Sequence, residues 1–374
     1  MLLKIEKLKE LAAGAGLELA GVTEARPLEH MLERLQRRRA EGRDTPFEER
    51  EPRRRLAPEA LLPGCRSIIV LGLPYDFPEP LQKPSAKAAG PRGMVSRLAR
   101  GLDYHVLLEH KARELLNLIK RELAGSIQSR ILVDRSPLLE KELARAAGLG
   151  HIGAHCLLIT PRYGSFVTLG TILLDRELEQ SAPGDAGCRG CGACREACPT
   201  GALPEPFILD PARCISYLTQ ARGIVPVELR SYMGGQLYGC DLCQEACPDN
   251  RKALQRGSAE ASFPFFPAKP LLLPLLRLTR KEFDQTIGLT AAGWRGKTTL
   301  QRNAVIALGN SGDPAAIPAL AEILKHDPRP LLRLHAAWSL GRLGGAAARR
   351  HLENSRLHET DSTVLREVNT ALER

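Results

Sequence analysis

The stretch Cys188-Arg-Gly-Cys191-Gly-Ala-Cys194-Arg-Glu-Ala-Cys198-Pro199 decides how the middle of this chain is read. Three cysteines spaced by two residues, then a fourth after three more and a proline, form the bacterial double-cluster run. In two-cluster proteins the fourth cysteine of that run ligates the other cluster. Gly190 and Gly192 let the backbone wrap closely around a cubane. A second, shorter motif, Cys240-x2-Cys243-x3-Cys247-Pro248, lacks one ligand, and Cys214 is the unassigned cysteine between the two. The spacing therefore assigns Cys188, Cys191, Cys194 and Cys247 to one [4Fe-4S] cluster. Cys198, Cys214, Cys240 and Cys243 go to the other. A zinc ribbon is the plainer alternative, but two CxxC pairs do not account for the third cysteine or the Cys-Pro endings.

Working outward, the ten cysteines fit a chain in a reducing compartment, with eight of them inside one short window and Cys65 and Cys156 outside it. Hydrophobic residues make up 43% of the 374 positions, enough for a full core without disulfides. The N-terminus interrupts every apolar pair with charge and reads as an amphipathic helix rather than a signal peptide. No long uncharged apolar run is present. These features lead us to expect a cytoplasmic protein with no membrane association.

Upstream, Ser67-Ile-Ile-Val-Leu-Gly-Leu73 reads as a buried strand, residues 76–93 as a Pro/Gly/Lys loop, and Tyr104 to Leu123 as a helix by its apolar spacing. Arg130 to Asp134 reads as a strand, followed by a helix with Ser136 as N-cap and Pro137 at N1, ending at Gly148. Asp134 then stands at the carboxyl end of a strand, where open α/β sheets bind ligands. Its plainer reading is a cap or turn residue. Phe166 to Leu174 is another strand, so residues 1–175 are expected to form an α/β or α+β domain and 176–257 the cluster module. Residues 258–274, with four prolines, read as a stiff connection. From 278 to 374 the chain is Ala/Leu-rich, and Gln301–Gly309 resembles Leu334–Gly341 at a HEAT-type period, a pair too short to stand alone.

The formal charge of +10 is uneven: 34 basic against 32 acidic residues up to 250, then 19 against 11. A basic C-terminal third is the footprint of a polyanion, nucleic acid first, although a solvated basic face would look the same. No dinucleotide, P-loop or flavin fingerprint occurs. Asp103-Tyr-His105 begins like a base-off cobalamin signature, but Leu108 stands where glycine is required.

Several segments in order, Leu61–Ile69, Gly101–His105, Val133–Pro137, Gly148–Gly153, Cys214–Leu218, Gly239–Cys243, Trp294–Lys297 and Gln301–Ala304, resemble the epoxyqueuosine reductase family. The resemblance spans essentially the whole chain. It implies a cobalamin-binding N-terminal domain, two [4Fe-4S] clusters and reduction of epoxyqueuosine at the tRNA wobble position. It also implies an external donor such as ferredoxin or flavodoxin, and a monomer. Asp134 matches the family's proton donor, which requires a carboxyl pKa raised by partial burial. Asp103, Tyr104 and His105 match a segment at the substrate pocket. Arg55, Asp134, Leu158, Ser216, Gly239, Asp241 and Leu242 are implied cobalamin contacts. Arg295, Lys297, Arg302 and Asn303 are implied contacts to the anticodon stem-loop of tRNA.

The chain departs from the family at His151-Ile-Gly-Ala154-His155-Cys156, where an aromatic residue, then Lys-Asn, is usual. His155 reads there as a polar loop residue and Cys156 as a packed thiol. Two other functions are open on sequence: a corrinoid reductive dehalogenase, and a non-catalytic electron-transfer adaptor docking through its helical tail.

Overall fold

The computed structural model describes residues 2–75, 90–123, 125–184, 187–256 and 266–373. The expected loop at 76–93 lies mostly outside them, as does half of the proline-rich connection. By packing the chain forms two compact units: Met1–Asp76, Asp103–Ala212 and Leu242–Glu260 in one, and Phe77–Leu102, Arg213–Asp241 and Ala261–Arg374 in the other.

The first unit is built on a four-stranded sheet. Its strands are β1 (Leu19–Glu24), β2 (Ser67–Pro74), β3 (Ser129–Leu132) and β4 (Val167–Leu174), in the order β1-β2-β4-β3. The two long apolar strands are continuous rather than alternating because both sheet faces are covered. Ile69, Leu71, Ile172 and Leu174 face α1 (Ile5–Gly14) and α2 (Tyr104–Glu122), against Leu8, Leu11, Leu108, Leu115 and Ile119. Ile68, Val70 and Leu173 face the other way, against Leu143, Ala144 and Ala147 of α3 (Glu140–Ala146) and its end. Each such aliphatic side chain contributes about 1.5–3 kcal/mol by leaving water.

Every pairing in this sheet is antiparallel, so the unit is α+β, and the ligand-edge rule for parallel sheets does not explain the position of Asp134. The helix after β3 also starts later than expected. Ser136 accepts from the Leu138 amide and caps a turn, not a helix, and α3 begins at Glu140. Prolines did not keep 271–277 irregular either: Leu272–Arg277 is a helix that includes Pro274.

A buried polar network braces the end of the cluster module to the turn before β4. Asn250, fully buried, accepts from the Ser165 amide at 2.7 Å and donates to Ser165 Oγ at 2.8 Å and Gln244 O at 2.7 Å. Gln244 Oε1 accepts from Ser165 Oγ and Tyr75 Oη. Gly164 at φ +55° lies so close that a Cβ there would strike Asn250 Oδ1.

In the second unit the helix α4 (Ile215–Gln220) and the strand Gln236–Tyr238, paired parallel with Met94–Val95, pack against a helical stack. The stack comprises α5 (Lys297–Asn310), α6 (Ile317–His326), α7 (Pro330–Leu343), α8 (Gly345–His358) and α9 (Ser362–Leu372). Trp338 and Ile306 meet Leu218, Val225 and Met233 in one apolar cluster, so the short repeat buries its face on the segment that follows Cys214. Among the described residues no helix is long and apolar enough to cross a membrane.

Candidate functional site

Asp134 lies two residues beyond β3 at φ +47°, a left-handed conformation that aspartate tolerates better than most residues. Its amide donates to Glu140 Oε1 at 3.3 Å, and the Tyr104 hydroxyl donates to its carboxyl. His105 Nε2 stands 3.8 Å from the same oxygen. Tyr104 and His105 are stacked, ring centroids 4.1 Å apart, at the start of α2. Asp103 caps that helix through the His105 amide and also meets His105 Nδ1 at 2.7 Å. Burial works to raise the Asp103 carboxyl, but the hydrogen bonds from His105 outweigh it and the net shift is downward. Asp103 therefore stays anionic and presents the far imidazole nitrogen to Asp134.

The Asp134 side chain is 59% exposed, so the partial burial expected of a proton donor is not supplied by this chain. Glu140, which the sequence reading passed over, is partly buried beside it. Burial and then the Asp134 charge push the Glu140 carboxyl up to about 8. Only a glutamate opening a helix shortly after Asp134 could have signalled it.

Cys188, Cys191, Cys194 and Cys247, the four assigned to one cluster, line one partly open pocket with Ala154, His155, Gly192 and Asp249. Gly190 at φ +66° and Gly192 at φ +80° turn the loop around it. The Ala154 amide donates to Cys188 Sγ at 3.4 Å, and Arg189 holds Asp249 at 2.8 Å. Burial, then the neighbouring thiols Cys247 and Cys188, raises the Cys194 thiol, a crowding of sulfurs that bound iron cations relieve. Among the described residues no three His, Cys, Asp or Glu side chains gather tightly enough for a single ion. The four thiols surround a space instead, as a cluster of several irons requires. Cys198 accepts from the Ala202 amide at 3.3 Å, and Cys243 packs beside Cys194 and Leu203 in the first unit. In the second unit Cys214 is the N-cap residue of α4 and Cys240 packs on the Leu218 cluster.

His155 lies in a loop turn as expected, but it is not at the surface. It is buried at 4% exposure, and burial, then Lys141, lowers it to about 4, so the ring is neutral. The Leu157 amide donates to its Nδ1 at 3.2 Å, while Nε2 has no hydrogen-bond partner among the described residues.

Two of the implied tRNA contacts are corrected. Arg302 and Asn303 are each 1% exposed and cannot meet a phosphate. Arg302 donates to the carbonyls of Leu218, Ala221 and Gly223 at 2.6–2.8 Å, and Asn303 to those of Thr219 and Leu237 at 2.8 Å. Burial, with Arg295 next, brings the Arg302 guanidinium down to about 10, still cationic at neutral pH. Lys297 donates to Leu278 O at 3.0 Å and stays partly exposed. Arg295 donates to Gln220 O at 2.6 Å and stacks 4.4 Å from the ring centre of Trp294, which is 50% exposed.

Among the implied cobalamin contacts, three side chains are already committed to the fold. Arg55 pairs with Glu48 at 2.5 Å and reaches Pro137 O, Leu158 is buried in the sheet core, and Asp241 accepts from the Arg97 amide at 2.7 Å. Leu242 opens a short helix and is half-buried. Ser216 is partly exposed, whereas Gly239 is buried with its amide donating to Thr219 Oγ1 at 2.9 Å.

Fold and site together define an iron–sulfur protein with two clusters and a helical-repeat tail. Residues 187–250 match the 4Fe-4S double cluster binding domain, and residues 296–373 match HEAT repeats. Residues 55–135 match the model described as epoxyqueuosine reductase QueG. An epoxyqueuosine reductase of Bacillus cereus is 37% identical over 359 residues, 96% of this chain and 94% of that one. An epoxyqueuosine reductase solved with a tRNA-Tyr epoxyqueuosine-modified stem loop superposes with a TM-score of 0.92 at 35% identity, covering 98% of this chain and 97% of that one. The Bacillus subtilis enzyme, in a structure with its Asp134 catalytic loop swung out of the active site, gives 0.91 at 34% identity, covering 98% of both. The chain belongs to the epoxyqueuosine reductase family, which sets aside the dehalogenase and adaptor readings.

Proposed function

We propose that this chain is an oxidoreductase that reduces epoxyqueuosine to queuosine at the wobble position of tRNA, with Asp134 as the proton donor. The observation that carries the reading is the exposed Asp134 carboxyl, held by Tyr104 and faced by the Asp103-fixed His105. Opening the epoxide and forming the alkene takes two electrons and two protons and releases water. When bound, the two clusters and cobalamin supply those electrons at low potential, drawn from a donor such as ferredoxin or flavodoxin. Ser216 and the 239–241 backbone would hold the cobalamin.

The chain's own residues manage the proton. A wobble base splayed from the anticodon loop covers Asp134 and supplies the desolvation that the free chain lacks. The protonated carboxyl then gives its proton to the departing oxygen. His105 faces the resulting carboxylate, and the Tyr104 hydroxyl fixes its direction. Arg295 and Lys297, in the basic C-terminal third, contact phosphates of the stem-loop. The protein acts as a cytoplasmic monomer.

The test is anaerobic turnover of an epoxyqueuosine-bearing stem-loop. Asp134→Asn should keep iron content and stem-loop affinity while turnover disappears. Turnover at the wild-type rate in that variant would dismiss the proton-donor role.

A further inference from the structure

We propose that the Nε2–H of His155 donates a hydrogen bond to the iron–sulfur cluster held by Cys188, Cys191, Cys194 and Cys247, and so raises the reduction potential of that cluster. The inference rests on the double-cluster reading of residues 187–250 and goes beyond it. Because Nδ1 accepts from the Leu157 amide, the ring proton sits on Nε2. That donor is buried and has no hydrogen-bond partner among the described residues, in a side chain that lines the pocket of the four cysteines. A buried donor left unmade is costly, and the sulfurs of a cluster held by those cysteines are acceptors that remove that cost. The neighbouring Ala154 amide already donates to Cys188 Sγ, so one short segment aims two N–H groups at the same centre.

The direction of the effect follows from charge. Reduction adds an electron that spreads over the cluster sulfurs, and a donor aimed at them gains more from the reduced state than from the oxidised one.

The experiment uses full-length protein with both clusters loaded. In pulsed electron paramagnetic resonance of the reduced wild type, ¹⁵N-labelled histidine should couple to one cluster, and the coupling should vanish in His155→Phe. In a potentiometric titration, His155→Phe should shift one of the two one-electron couples about tenfold toward oxidation, or about 59 mV more negative. His155→Gln, which keeps an N–H donor, should restore much of the shift. Unchanged potentials in a fully loaded His155→Phe would overturn the proposal. So would the absence of imidazole coupling in the wild type, a result that does not depend on how any variant folds. A wild-type chain that takes up no iron would instead defeat the cluster reading beneath it.

Discussion

Arg302 offers the sharpest separation of a structural role from an RNA-binding one. Its guanidinium closes the end of α4 by donating to Leu218, Ala221 and Gly223 carbonyls, and it braces Asn303 Oδ1 at 2.8 Å. A cation at a helix C-terminus also meets the negative end of the dipole. Arg302→Met keeps the length and removes every donor, leaving the buried Leu218 carbonyl unsatisfied at about 1–3 kcal/mol, while the part-buried Ala221 and Gly223 carbonyls can turn to water. Loss of the brace on Asn303 adds to this and relief from desolvating a buried charge subtracts from it, so the net cost is about 1–3 kcal/mol. For a unit of this size such a loss lowers the melting temperature by about 2–10 °C. The assay is thermal unfolding of cluster-loaded protein, read beside stem-loop binding over a range of salt. Because Cys214 is the N-cap residue of α4, iron content should fall as well. If melting is unchanged while stem-loop affinity drops and its salt slope falls by about one, the burial argument is wrong and Arg302 meets phosphate after all.

Three further outcomes can be checked. The Glu140 carboxyl, at about 8 in the fold, retains a proton that the unfolded chain releases near its ordinary value. Its stabilising contribution is thus present in acid and lost as pH rises from about 4.5 to 8. Glu140→Gln should melt progressively higher than wild type across that window; a constant difference would refute this. His335 is fully buried, its Nδ1 against Leu331 O and its Nε2 accepting from the Val225 amide. Burial, then Arg230, holds it well below its usual pKa, so this contribution is present above about 6.5 and disappears as pH falls. His335→Gln should flatten the acid side of the melting curve, and a wild type with no loss between pH 7 and 5 would count against it. Asp103→Asn should lower turnover about tenfold or more by releasing the imidazole orientation, with melting within a few degrees of wild type; unaltered turnover would remove Asp103 from the proton path.

Much of the architecture was legible because it rests on periodicity and spacing. The runs at 67–74 and 167–174 are apolar on both faces because helices cover both, and the apolar spacing of α2 puts Leu115 and Ile119 in the core, although Val106 of the same spacing is exposed. The cysteine spacing named the four thiols that share a cavity. What sequence could not carry was partner identity. Strand direction depends on β2 and β3 both pairing with β4, a long-range choice that leaves no local trace. β1 is a short strand of mixed polarity and passed unread. Ser136-Pro137 has the chemistry of a helix start, yet the chain spends it on the turn that holds Asp134. Arg302, Asn303 and His155 are residue types that belong on surfaces by default, and only tertiary packing shows them buried with their hydrogen bonds directed inward.

The Asn250 brace carries a kinetic consequence. An electron hop is slowed by every atom that must shift when charge arrives, and a loop free to rearrange adds to that reorganisation. The segment from Gln244 to Asn250 contains Cys247, and its amide groups are cross-linked to Ser165 and Tyr75 by a closed set of hydrogen bonds. Such a segment can accept a change of charge on its thiolate with little movement of its own. Asn250 thereby stiffens the stretch that carries Cys247, through its bonds to Ser165 and Gln244.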